Sequence, residues 1–178
     1  MNKNISFCLL ILSSLMWISL SYAETKSESR TLQVHVNVEP IFVVQVTPRT
    51  GGDTVEFGTV KRVPEETVET KPVQVDIAVL SNLGVPYQVS QAVTTPLVNE
   101  EGQTLPLEDF LVQADETVYG NGKVASPEPV RAAEQVLFES NSQGDTDTFT
   151  ANYFLKIPPT QAGGDYQTSI VYTIATKE

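Results

Sequence analysis

Beyond its first 23 residues the chain carries one histidine, His35, and no cysteine, and that scarcity limits its chemistry more than any motif it contains. A zinc cluster, a Cys–His pair and an H-x-x-x-H spacing are all excluded by the counts. A Ser–His–acid triad would have to recruit His35, yet no G-x-S-x-G elbow supplies its nucleophile. His35 sits between Val34 and Val36 on the polar side of an alternating run, where a solvated cross-strand neighbour is the expected role. Carboxylate pairs are plentiful: Glu65-Glu66, Glu100-Glu101, Glu108-Asp109 and Asp115-Glu116. Acid–base work needs one carboxyl with a raised pKa and a second at a set separation inside a cleft. These pairs fall in expected loops and strand ends, and no Trp follows Trp17 to stack a sugar. The oxygen-rich stretch 141–147 lacks the spacing and the closing Glu of a calcium loop, so it reads as a hydrophilic turn. Gly51-Gly52 and Gly163-Gly164 stand in β-turn contexts, with no strand-to-helix junction to aim amides at a phosphate. The sequence therefore assigns no catalytic residue, no metal ligand and no cofactor-binding residue, and the expected class is non-enzymatic.

The elements that remain begin with an expected signal peptide over residues 1–23. Lys3 gives a basic start, residues 7–20 are mostly apolar, and Ser21 and Ala23 supply small residues before Glu24. That apolar stretch is short for a membrane span. Cleavage would remove Cys8, Trp17, Met1 and Met16 together. Without Lys3 the chain holds 10 Lys and Arg against 22 Asp and Glu, a net charge of −12. Such a balance argues against nucleic acid or anionic lipid as partner, since both reward Lys and Arg. No second apolar run is long enough to anchor the mature chain in a membrane. The expected location is the periplasm or the cell surface.

Residues 24–31 are polar and aperiodic, an expected flexible leader. Then Leu32, Val34, Val36 and Val38 alternate with Gln33, His35, Asn37 and Glu39, a strong strand pattern. After Pro40 the even positions continue as Phe42, Val44 and Val46, while Ile41 and Val43 make the other face apolar too. The expectation is a half-exposed strand leading into a more fully buried one. Further strands are expected over residues 54–60, at Val73, Val75, Ile77 and Val79, and at Tyr87, Val89 and Val93. Phe149, Ala151, Tyr153, Leu155 and Ile157 form another, and Tyr166, Ile170, Tyr172 and Ile174 return the chain. In the middle, residues 110–114 are an expected strand and 119–122 an expected turn. Residues 135–139 are expected as a strand, with a helix over 128–139 as the alternative. Gly163-Gly164-Asp165-Tyr166 reads as a corner where a tyrosine hydroxyl ties back to the preceding loop. Many short alternating runs between Gly and Pro turns give an all-β chain, a single antiparallel β-sandwich of immunoglobulin-like form over residues 32–178.

A polar leader followed by Leu32, Val34, Val36 and Val38 has the form of a segment that adds to a neighbour's sheet. The same pattern serves a first strand paired within its own domain. The stretch Val55-Glu56-Phe57-Gly58-Thr59-Val60, the strand 73–80, the turn Asn82-Leu83-Gly84 and the element Ala162-Gly163-Gly164-Asp165-Tyr166 resemble small secreted bacterial β-sandwiches. The groups in question are spore-coat-U/fimbrial subunits and WxL-type surface domains, and the resemblance spans residues 31–177. It implies an envelope or surface protein, pilus-like in assembly, working through protein partners or its own copies. It supplies no site residues. The alternative expectation is a periplasmic or surface module that binds carbohydrate or peptide in its loops.

Overall fold

The computed structural model describes residues 30–177, so the expected signal peptide and most of the expected leader lie outside the described residues. The chain divides into two units, Met1–Asn37 and Val38–Glu178. In the first, residues 30–37 have no strand or helix and are exposed.

The second unit is all antiparallel β apart from one 3-10 turn, Leu107–Asp109. Its strands are β1 (Phe42–Pro48), β2 (Val68–Glu69), β3 (Val73–Ser81), β4 (Tyr87–Val93), β5 (Leu97–Val98) and β6 (Thr104–Leu105). They continue with β7 (Phe110–Ala114), β8 (Asn121–Gly122), β9 (Glu128–Pro129), β10 (Gln135–Glu139), β11 (Asp147–Ile157) and β12 (Ile170–Thr176). One sheet runs β1-β3-β11-β7-β9, with β2 beside the end of β11. The other runs β12-β4-β10-β8, and β5 with β6 forms a small hairpin. Together they make an immunoglobulin-like sandwich with no closed barrel.

The alternating apolar positions face one another across its middle. Val75, Ile77 and Val79 of β3 and Phe149, Ala151 and Tyr153 of β11 meet Tyr87, Val89 and Val93 of β4 and Leu137 and Phe138 of β10. Phe138 stacks on Phe149 with ring centroids 4.7 Å apart, joining the two sheets. A register shift between Val136 and Phe138 lets the consecutive Leu137 and Phe138 both be buried, as a bulge does.

Most of the strand expectations hold, including β3, β4, β7 and β11, and residues 135–139 form β10 rather than part of a helix. Four differ. Residues 32–38 form no strand, because alternation marks two faces but does not provide a ladder partner. β1 is not the more fully buried strand: it pairs with β3 alone, leaving Val43 and Val46 exposed. Residues 54–60 have no ladder either, and Gly58 breaks the extended run at φ 66°. Val55 and Phe57 still pack on the core, and Phe57 meets Phe110 edge-on at 6.1 Å. Finally, the last strand starts at Ile170; Tyr166 belongs to the corner before it, and its hydroxyl donates to the Ala162 carbonyl at 3.0 Å.

Candidate functional site

A sandwich of two open sheets has four edges, and here they are of two kinds. On one side the sheets end in β9 and β8, two residues each. Pro129 of β9 has no N–H to offer, and β8 is followed at once by the charged Lys123. On the other side they end in β1 and β12, seven residues each, whose Cα atoms approach within 8 Å with no ladder between them. Each has a single partner: β3 for β1, and β4 for β12. Neither of these long edge strands carries a charged residue, and the one proline in them, Pro48, stands at the very end of β1, so little along them discourages pairing.

The side chains along this seam are those of a core left partly open. Phe42 and Val44 on β1 and Ile170, Tyr172 and Ile174 on β12 pack on the buried cluster yet are themselves only half-buried. The interior strands β3 and β4 bury Val75, Ile77, Val79, Tyr87 and Val89 completely. An inward-facing residue on a paired middle strand is covered from both flanks, and along this seam one flank is missing.

The strands beside the seam are held firmly from behind. Phe42 meets Tyr87 edge-on at 5.9 Å, and the Tyr87 hydroxyl donates to the Asp145 carbonyl at 2.8 Å. Tyr172 shares a 2.6 Å hydrogen bond with the buried hydroxyl of Tyr153, which also donates to Gln91 Oε1. Gln91 Nε2 donates in turn to Gln135 Oε1 at 3.1 Å, and Gln135 to the Pro129 carbonyl at 3.2 Å. This buried relay runs from the open edge through β4 and β10, and no buried polar side-chain atom among the described residues lacks a partner. Burial pushes the phenols of Tyr87 and Tyr172 up to about 12, and that of Tyr153 well above its usual value.

Both ends of β1 are pinned. At its C-terminal end the Arg49 guanidinium grips Asp76 through two bonds of 2.8 Å and Gln74 through a third. The hydrogen bond from Arg49 is the main reason that the Asp76 carboxyl lies below its usual range. At the N-terminal end Asn82, in the loop after β3, accepts from Ile41 N–H at 2.6 Å and donates to the Glu39 carbonyl at 2.9 Å. Its own N–H donates to the Ile41 carbonyl at 3.2 Å.

The sequence-derived partner residues Leu32, Val34, Val36 and Val38 are 86, 85, 76 and 71% exposed. They alternate with exposed polar residues, His35 among them. The residues weighed for catalysis do not converge. Asp109 is pushed up by burial and by the neighbouring Glu108; it lies at the end of the 3-10 turn, where Lys156 offsets part of that rise. Two depressions among the described residues hold about 210 Å³ each, one lined by Leu111, Phe154 and Lys156, the other by Asn99, Glu100 and Asp165. Both are below the few hundred Å³ typical of small-molecule sites. In the 141–147 loop, Asn141 Nδ2 donates to the Asp145 carboxylate at 2.7 Å and Thr117 donates to Asp147. That is the bonding of a closed polar turn.

Sequence reasoning missed the open seam, because pairing between strands distant in the chain has no local signature. It also missed Asn82 as an anchor, although an Asn after a strand and before Leu-Gly is a turn signal.

No protein-family model matches the chain, and no curated protein does. Among solved structures, a family 123 glycoside hydrolase from Clostridium perfringens, studied for glycolipid glycan hydrolysis, is similar at 12% identity and a TM-score of 0.43. The likeness covers 75% of this chain and 25% of that one, so the chain spans about a quarter of that enzyme's length.

Proposed function

We propose that the chain is a non-enzymatic, exported structural subunit of a bacterial envelope or surface assembly, joined to its neighbours by β-strand addition. Residues 32–38 of one copy enter the seam between β1 and β12 of the next. The observation that carries this reading is the match between the two halves. One half is a seven-residue alternating segment with Leu32, Val34, Val36 and Val38 exposed and unpaired. The other is a seven-residue seam with two free edges and a half-covered apolar lining. Period-two alternation puts those four side chains on the lining and leaves Gln33, His35 and Asn37 facing solvent. Full burial of each apolar side chain stabilises by about 1.5 kcal/mol or more. Ordering the segment costs about 1 kcal/mol per residue, which backbone bonds to the flanking edges help to offset.

The arrangement is heterologous, since a segment at one place meets a seam at another, and heterologous contacts that do not close produce filaments. That accords with the resemblance to fimbrial subunits. The test is to express residues 24–178 and follow size exclusion and negative-stain microscopy with and without residues 24–39. Concentration-dependent polymers that vanish with the deletion are expected. A monomer at all concentrations that unfolds when the segment is removed would overturn the proposal. Glycan binding by such a monomer would favour a carbohydrate-binding module instead.

A further inference from the structure

A donor segment tethered beside an acceptor seam faces a competitor, the seam of its own domain. Folding back would make a hairpin in which 38 pairs with 42, 36 with 44 and 34 with 46, covering the free edge of β1 with its own leader. A tether this short gives the internal strand an effective concentration in the millimolar range, far above that of a neighbour at micromolar concentration. Strand addition between copies, as proposed above, therefore requires a bar against self-capping.

We infer that Asn82, acting with Glu39-Pro40-Ile41, is that bar: a latch that keeps the N-terminal segment from closing on its own sandwich and so directs it to another copy. The first part of the argument is loop chemistry. A two-residue hairpin loop of type I′ needs φ > 0 at both positions, which a proline at residue 40 forbids. A three-residue loop over 39–41 is normally a type I turn followed by a left-handed residue. It would place Pro40 where that turn disfavours proline and would put the β-branched Ile41 at positive φ. In the structure the only non-glycine residue at positive φ among those described is Glu65, far from this junction.

The second part is Asn82 itself. Its side chain and backbone hold Ile41 N–H, the Ile41 carbonyl and the Glu39 carbonyl at once. The two bonds at Ile41 extend the β1–β3 ladder by one pair, and a reversal that turns the chain at Glu39 would have to break the third, from Asn82 to the Glu39 carbonyl. Asn82 is exposed and reaches Glu39 from 43 residues away, so these bonds hold residues 39–41 against the loop after β3. Asn82 is a positioning residue: it does not line the seam.

The inference rests on the strand-addition reading, and its test separates the two. Residues 24–178 are compared with Asn82→Ala, Ile41→Gly and the double variant. Each is followed by polymerisation and by binding of a synthetic peptide of residues 30–39. Amide hydrogen exchange of residues 32–38 is measured at several protein concentrations. The double variant is expected to become a closed monomer whose residues 32–38 are protected independently of concentration. Its peptide binding should be weakened on the order of a hundredfold or more, as a tethered competitor demands. The single variants should lie between it and the unmodified chain. If Asn82→Ala does not fold, Asn82→Asp, which keeps the acceptor for Ile41 and loses the donor to Glu39, is judged by the same readouts. Variants that polymerise, bind peptide and exchange like the unmodified chain would overturn the latch while leaving strand addition intact. An unmodified chain that neither polymerises nor binds the peptide would overturn both.

Discussion

The hydroxyls of Tyr153 and Tyr172 lie 2.6 Å apart, and that one hydrogen bond ties the middle strand of the larger sheet to the open edge strand of the smaller. Tyr153 is completely buried and also serves Gln91, so it is the hub of the relay. Tyr153→Phe should cost about 1–3 kcal/mol, because Gln91 loses its donor in a buried setting. Tyr172→Phe should cost less, about 1 kcal/mol, since Tyr153 keeps Gln91 as a partner. Urea unfolding of the two variants checks the order; equal losses would contradict the relay as described.

The same phenols predict the alkaline limit of the fold. Tyr87 and Tyr172 titrate near 12 when folded, against 10.0 for a free phenol, chiefly because burial disfavours the phenolate. A group whose folded pKa is raised contributes fully below its unfolded pKa and loses that contribution as pH rises through the folded value. Stability should therefore hold to about pH 10 and fall towards pH 12. Phenolate absorbance and circular dichroism recorded together should show the buried tyrosines ionising with unfolding.

At the acid end the sign reverses. Glu139 is held below its usual value first by the hydrogen bond from Lys177 and then by that from Lys123, as Asp76 is by Arg49. Depressed carboxyls contribute fully above their unfolded pKa and lose that contribution as pH falls through the folded one. The expected window of loss lies below 4.5 for Glu139 and below 3.8 for Asp76. Both pairs are largely exposed, so solvent and salt screen them and each contributes little on its own. Lys177→Ala should flatten the acid limb of a stability–pH curve without moving the alkaline one.

Val36→Asp separates assembly from folding. Val36 is 76% exposed and unpaired, so the monomer should keep its stability to within about 0.5 kcal/mol. A carboxylate on the inserted face of the segment should abolish polymers and peptide capture. Loss of monomer stability in thermal melts would place the residue in its own fold instead.

Gly144→Ala should be among the most damaging small changes. Residue 144 has φ 62°, and an added Cβ would sit 1.8 Å from the Val85 carbonyl oxygen. The loop and the carbonyl must both shift, which should cost about 2 kcal/mol or more, read as a lowered melting temperature.

How much of this was legible in the sequence follows from the range of each interaction. Val73 to Val79 and Phe149 to Leu155 announce their strands because a buried face writes its period into neighbouring residues. The tie from Tyr166 to Ala162 spans four residues and was readable for the same reason. The partner of a strand is not written locally. Alternation at Leu32 to Val38 gave no sign that no ladder would be found there, and the apolar run at Ile41 to Val44 suggested burial where β1 proves to be an edge. Asn82 reaches Glu39 across 43 residues, a relationship only the folded chain displays.

The place of β11 in the chain has a consequence in time. It is the central member of its sheet, paired with β3 across some seventy residues and with β7 on its other side, yet only β12 follows it. The larger sheet cannot close until residue 157 is available, and such distant pairings are slow to form. An incomplete chain, lacking β11, has no route to a premature native core. Until β11 arrives, β3 and β7 have no strand between them, and the apolar faces of both wait for a partner.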